Sequence, residues 1–285
     1  MIVHRRNVLA GLLAAPALIR SARAAPVVSE QRSPALQPRW QRFAAAVPAP
    51  DGRPTITIVI DDLGVIHPGT PRAVALPAPV TLAWFPFARN LPEQVGAATE
   101  RGHEALLHMP MQAFGSSIAW TGPDPLRIDL PPAENLRRLV AAIDAVPDTV
   151  GLNNHMGSVA TRDVALMDLV AQEVRRRDML LLDSLTIGHS VAYRCAAQAG
   201  VPATSRDVFL DNTADTAMIV AQLQLTERIA RQIGHVVAIG HPRPHTLDAL
   251  EAWLPGLEAK GFVLWPLSAT VAWRNEMIMP GVPAA

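Results

Sequence analysis

The stretch ITIVIDDLGV (56–65) drives an apolar run into two adjacent carboxylates, Asp61 and Asp62. Side by side they repel, and burial raises their pKa further unless a cation compensates. The pair is a turn, a metal site or an acid–base device. Four other apolar runs end on groups of the same kind. EALLHM carries His108, TVGL runs into Asn153, Asn154 and His155, MLLLD ends in Asp183 ahead of Ser184 and Thr186, and HVVAIG precedes His241. An aspartate with two imidazoles is an ordinary three-ligand set for a catalytic zinc, with one position left for water.

Taken singly, each residue has a structural explanation. Asp61-Asp62 suits an Asx-turn followed by a helix N-cap, and Asp183 suits a cap in Asp-Ser-x-Thr. His108 could be a satisfied core histidine, His155 a turn residue among Asn and Gly, and His241 part of the loop before Pro242. Five separate structural roles do not anticipate their shared placement at the ends of apolar runs. His67, His103, His189, His235 and His245 lack that placement and read as structural or solvated.

The elements that must position these groups follow from periodicity. Strands are predicted at 55–60, 79–85, 104–109, 149–152, 179–183, 235–240 and 261–267, each a short, nearly continuous apolar run. Between them lie helical patterns. AENLRRLVAAIDAV sets Leu136, Leu139, Val140 and Ile143 on one face, and DVALMDLVAQEVRRR does so with Leu166, Leu169, Val170 and Val174. A third helix ends at Gly234, a C-cap residue. Continuous apolar strands alternating with helices give a parallel sheet, covered on both faces or closed into a barrel. About seven βα units favour the barrel. In such folds the C-terminal strand ends share one mouth, where active sites sit. Segment 120–132 reads as a long βα loop.

At 285 residues and 49% hydrophobic the chain can bury a large core. Its 25 basic and 25 acidic residues cancel, which argues against attraction to nucleic acid or an anionic membrane. The single cysteine, Cys195, excludes an internal disulfide framework and a cysteine-based zinc site. Residues 1–24 have the form of a cleavable export signal: a basic start with Arg5-Arg6, an apolar stretch and Ala22-Arg23-Ala24. The stretch is too short for a membrane span, which takes roughly 20 residues, and the paired arginines admit the twin-arginine route. The expected product is periplasmic, with a Pro-rich tether at 25–53, a catalytic domain at 54–275 and a tail at 276–285.

In order along the chain, IVIDDLG, GHEALLHMPM, VGLNNHMGS, LLLDSLTIG and AIGHPRPHT resemble the divergent polysaccharide deacetylase family, over roughly 54–270. The resemblance implies a distorted seven-stranded β/α barrel and a divalent metal, zinc foremost. It implies that Asp61 is the general base and Asp62 a metal ligand. The related deacetylases draw two imidazoles from His-x-x-x-His, but here His108 is followed by Gln112 at the second position. His155 is the natural substitute, giving Asp62, His108 and His155. His241 corresponds to the general acid, and Asp183 would orient one of these groups. Asn154 and Ser184 are candidate substrate contacts. The implied substrate is an N-acetylated or otherwise acylated polysaccharide, such as a peptidoglycan-type glycan. Two other readings stand beside it: a non-catalytic glycan-binding protein on the same barrel, motivated by Gln112, and a different metal hydrolase, an amidase or phosphoesterase.

Overall fold

A computed structural model of the chain describes residues 37–65, 68–115 and 121–283. The expected export signal lies outside the described residues. Nine parallel strands alternate with helices: α1 (Arg39–Arg42), β1 (Thr55–Leu63), α2 (Gly69–Ala75), β2 (Thr81–Trp84), α3 (Leu91–Glu100), β3 (Glu104–Met111), α4 (Pro132–Ala145), β4 (Gly151–Met156), α5 (Val164–Arg176), β5 (Leu180–Asp183), α6 (Ala192–Gln198), β6 (Ala203–Ser205), β7 (Val208–Phe209), α7 (Thr216–Ile233), β8 (His235–Gly240), α8 (Pro244–Trp253), β9 (Val263–Leu264) and α9 (Leu267–Arg274). The sheet runs β6-β5-β4-β3-β2-β1-β8-β7, with β9 paired to the start of β1.

All seven expected strands are present, and two very short ones, β6 and β7, are added at the sheet's edges. No ladder joins those edges among the described residues, so the α/β barrel is curled rather than closed. Arg274 of α9 spans the seam instead. It donates to Thr204 Oγ1 at 2.7 Å and Ser205 O at 3.3 Å on one side and pairs with Asp207 on the other.

Strand alternation divides the core. Ile56, Ile58 and Ile60, Ala105, Leu107 and Met109, and Val236 and Ala238 pack outward against the helices. Val59, Ala83, Leu106, Leu182, Val237 and Ile239 point into the barrel. The lumen is therefore layered along the inward series. Thr57, Thr81 and Glu104 lie below this apolar layer, and Asp61, His108, Asn153, Ser184 and His241 follow it at the C-terminal strand ends.

The described parts of the expected tether and tail, 37–53 and 276–283, do not stand apart from the domain. Trp40 is buried with Phe43, Ala44, Val47, Met279 and Val282 in the cluster that closes the barrel's N-terminal end. Trp40 N donates to Asp178 O at 2.9 Å, Arg39 Nε to Thr149 O at 3.0 Å, and Trp265 Nε1 to Pro48 O at 2.8 Å. An inward-facing apolar layer must be covered at both ends, and from Pro38 onward the Pro-rich segment does this below. The described part of the expected tether thus packs with the domain expected from 54 onward.

His103 and Glu104 lie at this lower end. His103 Nδ1 accepts from Val80 N at 3.2 Å and Nε2 donates to Val74 O at 3.1 Å, so a buried neutral ring ties α2 to β2. Glu104 Oε1 accepts from Ser268 N at 3.0 Å and Thr81 Oγ1 at 3.2 Å, which fastens α9 into the barrel.

Candidate metal centre and catalytic site

Asp61 follows Val59 in the inward series, whereas simple alternation would aim Asp62 outward with Ile60. A register shift between Ile60 and Leu63, with a φ of 61° at Asp62, breaks the alternation. A bulge of this kind re-aims a side chain, and aspartate tolerates the left-handed conformation better than most residues. Both carboxylates thereby reach one site. That answers why two like charges end the strand.

Three donor atoms converge there. Asp62 Oδ1 lies 3.1 Å from His108 Nε2 and 3.0 Å from His155 Nδ1, and the two nitrogens are 3.1 Å apart. Asp62 Oδ1 is buried yet accepts no well-formed hydrogen bond. Asn153 sets the proton positions. Its Nδ2 donates to Asp61 Oδ1 at 2.8 Å and to Ser184 Oγ at 3.1 Å, which leaves its carbonyl oxygen 2.8 Å from His108 Nδ1. A carbonyl only accepts, so the His108 Nδ1–H donates and Nε2 faces the cluster.

This set fits a divalent metal. Tetrahedral bonds of about 2.0 Å place donor atoms roughly 3.3 Å apart, close to what is observed. Burial opposes charge on His108, yet Asp61 and Asp62 outweigh it and raise its pKa to about 9. The two carboxylates call for positive charge, and a cation among Asp62, His108 and His155 would supply it. These three are the one such group of His, Cys, Asp and Glu found among the described residues.

The two aspartates are pushed apart. Burial raises the Asp61 pKa more than His108, His241 and Asn153 lower it. Burial also acts on Asp62, but the close imidazoles of His108 and His155, with His241 beyond them, override it and hold the carboxyl well below its ordinary range. Adjacent carboxylates driven in opposite directions are suited to different roles.

His241 enters from the end of β8, its Nε2 3.9 Å from Asp62 Oδ2. Its Nδ1 donates to Asp211 Oδ1 at 2.8 Å, and its backbone N–H donates to Asp211 Oδ2 at 2.8 Å. Thr246 Oγ1 donates to that same oxygen at 2.7 Å. Burial lowers the His241 pKa, but Asp211 raises it by more. Asp211 is absent from the sequence expectations because it follows β7, two residues long, where no apolar run marks a strand end.

Other expected residues are placed differently. Asp183 shares the outward phase of Leu181, and its carboxylate serves its own loop, accepting from Leu185 N, Ser190 Oγ and Tyr193 N. The hydrogen bonds to His241 and His108 come from Asp211 and Asn153, and Asp183 reaches neither ring. Asn154 is also committed, its Oδ1 accepting from Ser184 N and its Nδ2 donating to Met156 O. Ser184 and Asn154 do line the cavity of about 550 Å³ that opens beside Asp61, His108 and His241. Gln112 is a strut: its Oε1 accepts from Ile128 N at 2.9 Å, and its carbonyl accepts from Val159 N and Ala160 N. Arg206 lines the cavity as well, donating to Ser184 O and Leu185 O beneath the Phe209 ring.

Residues 58–271 match the family described as divergent polysaccharide deacetylase. An uncharacterized protein of Haemophilus influenzae is 34% identical over 228 residues, covering 80% of each chain. The uncharacterized YibQ of Escherichia coli K12 is 35% identical over 196 residues, 69% of this chain and 61% of that protein. The crystal structure of the uncharacterized protein ATU2773 from Agrobacterium tumefaciens superposes with a TM-score of 0.77 at 26% identity, over 81% of this chain and 94% of that one.

Proposed function

The chain belongs to the divergent polysaccharide deacetylase family, and from that premise we propose that it is an exported, zinc-dependent hydrolase that removes acetyl groups from an acylated glycan of the cell-wall type. One observation carries the reading. Asp62 Oδ1, His108 Nε2 and His155 Nδ1 lie within 3.1 Å of one another, the Asp62 oxygen buried without a well-formed hydrogen bond, and a buried carboxylate, Asp61, stands on the adjacent residue.

Asp62, His108 and His155 hold the cation, which supplies Lewis-acid polarisation of the acyl carbonyl and of water. Asp61, held by Asn153 Nδ2, accepts the proton of the attacking water on its carboxylate. His241, its Nδ1–H held by Asp211, delivers a proton from Nε2 to the departing amine nitrogen. Asp211 fixes the tautomer and stabilises the imidazolium that must form before that transfer. Neither Asn153 nor Asp211 touches the substrate in this scheme; both position groups that do.

Elemental analysis of protein purified from the periplasm, followed by acetate release from peptidoglycan and chitooligosaccharides, tests the proposal. One equivalent of zinc with acetate release supports it. Metal without release on these glycans points to a glycan-binding protein on the same barrel, and protein that takes up no divalent metal overturns it. Export is tested on the same preparation, whose N-terminal sequence should begin at Ala25.

A further inference from the structure

Resting on that reading, we propose that Phe87 is a stacking subsite for the sugar next to the one being deacetylated, so that the substrate is an oligosaccharide rather than a single acylated sugar. An aromatic ladder leads to it from the metal centre. The Phe85 ring meets His155 edge-on at 4.7 Å and 81°, and His108 at 5.1 Å. Phe87 stacks on Phe85 at 4.8 Å with the planes 24° apart. Phe85 is buried, whereas Phe87 is 36% exposed. The outer ring is thus two ring contacts from a metal-binding imidazole.

Phe87 is fixed rather than merely left outside. Phe85 N donates to Leu63 O and Ala88 N to Phe85 O, so the Phe-Pro-Phe turn is pinned to the end of the strand that carries Asp61 and Asp62. Gly64, with a φ of 93°, abuts Ala88, where any side chain would collide. Gly122, with a φ of 82°, lies against the Phe87 ring, and a Cβ there would fall 2.6 Å from Cε1. Two glycines and a proline therefore hold one half-exposed apolar ring beside a polar site. A ring already immobilised gives contact area to a ligand with little further loss of side-chain entropy. A pyranose presents a face of C–H groups that stacks on such a ring, while its hydroxyls stay in water.

The experiment measures binding of tetra-N-acetylchitotetraose by calorimetry and kcat/KM for the tetramer and for N-acetylglucosamine, in wild type, F87A and F87W. The tetramer should bind F87A about five- to tenfold more weakly, the preference for tetramer over monomer should fall by the same factor, and F87W should restore both. Metal content should stay at the wild-type level in F87A. Loss of tetramer binding through Phe87 in a protein that releases no acetate would keep the subsite and remove only the deacetylase reading. Equal tetramer affinity in F87A and wild type would overturn the subsite, as would a fall in metal content in F87A, which would make the ring a prop for His155.

Discussion

His103, just before β3, and His108, within it, lie five residues apart, both buried, and they do unlike work. At the lower end His103 has both ring nitrogens satisfied by backbone groups. At the upper end His108 turns one nitrogen to Asn153 and the other to a carboxylate oxygen and a second imidazole nitrogen. The same contrast holds for the carboxylates. Glu104 braces α9 through backbone and hydroxyl donors, while Asp62 faces donors that are themselves metal ligands by type. A buried titratable group whose partners are backbone atoms is structural. One whose partners are other lone-pair atoms is a candidate to hold a cation.

The sharpest way to break this contrast is at the base. Asp61→Asn should keep the metal and lose 10²- to 10⁴-fold in turnover, roughly the share of a general base, whereas Asp62→Asn should lose metal first. Metal content and acetate release measured on both variants decide it; equal loss of metal would make the pair a joint ligand. At the other end Trp40→Ala should cost roughly 3–5 kcal/mol of stability, as large aromatic truncations in cores do. Denaturant unfolding should report that loss while metal stoichiometry remains at the wild-type level.

A smaller effect is expected at Asp211. Asp211→Asn should lower kcat by about 10- to 100-fold without displacing the metal. Asp211 raises the His241 pKa, and a general acid must be protonated, so activity falls as pH rises through that pKa. Removing the carboxylate should move the alkaline limb of the kcat profile to lower pH; an unmoved limb would sever His241 from the acid role.

The smallest effect concerns His103. Burial lowers its folded pKa below 6.5, so the unfolded chain takes up a proton that the folded one refuses. Its contribution is complete above about pH 6.5 and is lost as pH falls below it. His103→Gln keeps a donor and an acceptor but cannot titrate. Unfolding measured from pH 7 downward should show a shallower loss of stability in the variant, with the two proteins within about 1.5 kcal/mol at pH 7. Identical slopes would mean that His103 does not set this dependence.

How much of this was legible in the sequence depended on how each group is signalled. Strands such as 55–60 and 235–240 are apolar on both faces because helices cover one side and the lumen the other, so continuous runs revealed them. The cluster of Asp62, His108 and His155 was legible because its residues lie at or near the ends of those runs. Asp211 was not, because β7 needs only Val208 and Phe209 to complete the sheet edge. Asp183 misled for the opposite reason: it ends a clear run but in the outward phase, where Leu181 also points. The bulge at Asp62 defeats such phase counting altogether, since one left-handed residue exchanges the two faces. Leu136 was expected inward and is exposed; Asn135 takes the buried position, gripping Arg127 N and O to hold the long loop before α4.

The plug below the barrel has a consequence for handling the protein. Gln41 Nε2 donates to Ile278 O at 2.8 Å, so the first and last described segments meet at the end remote from the candidate metal centre. A fusion partner, an immobilising tag or a linker attached at residue 38 or residue 283 would lie behind the candidate site. Held there on a bead, the molecule would present its cavity outward, open to a ligand too large to diffuse to it.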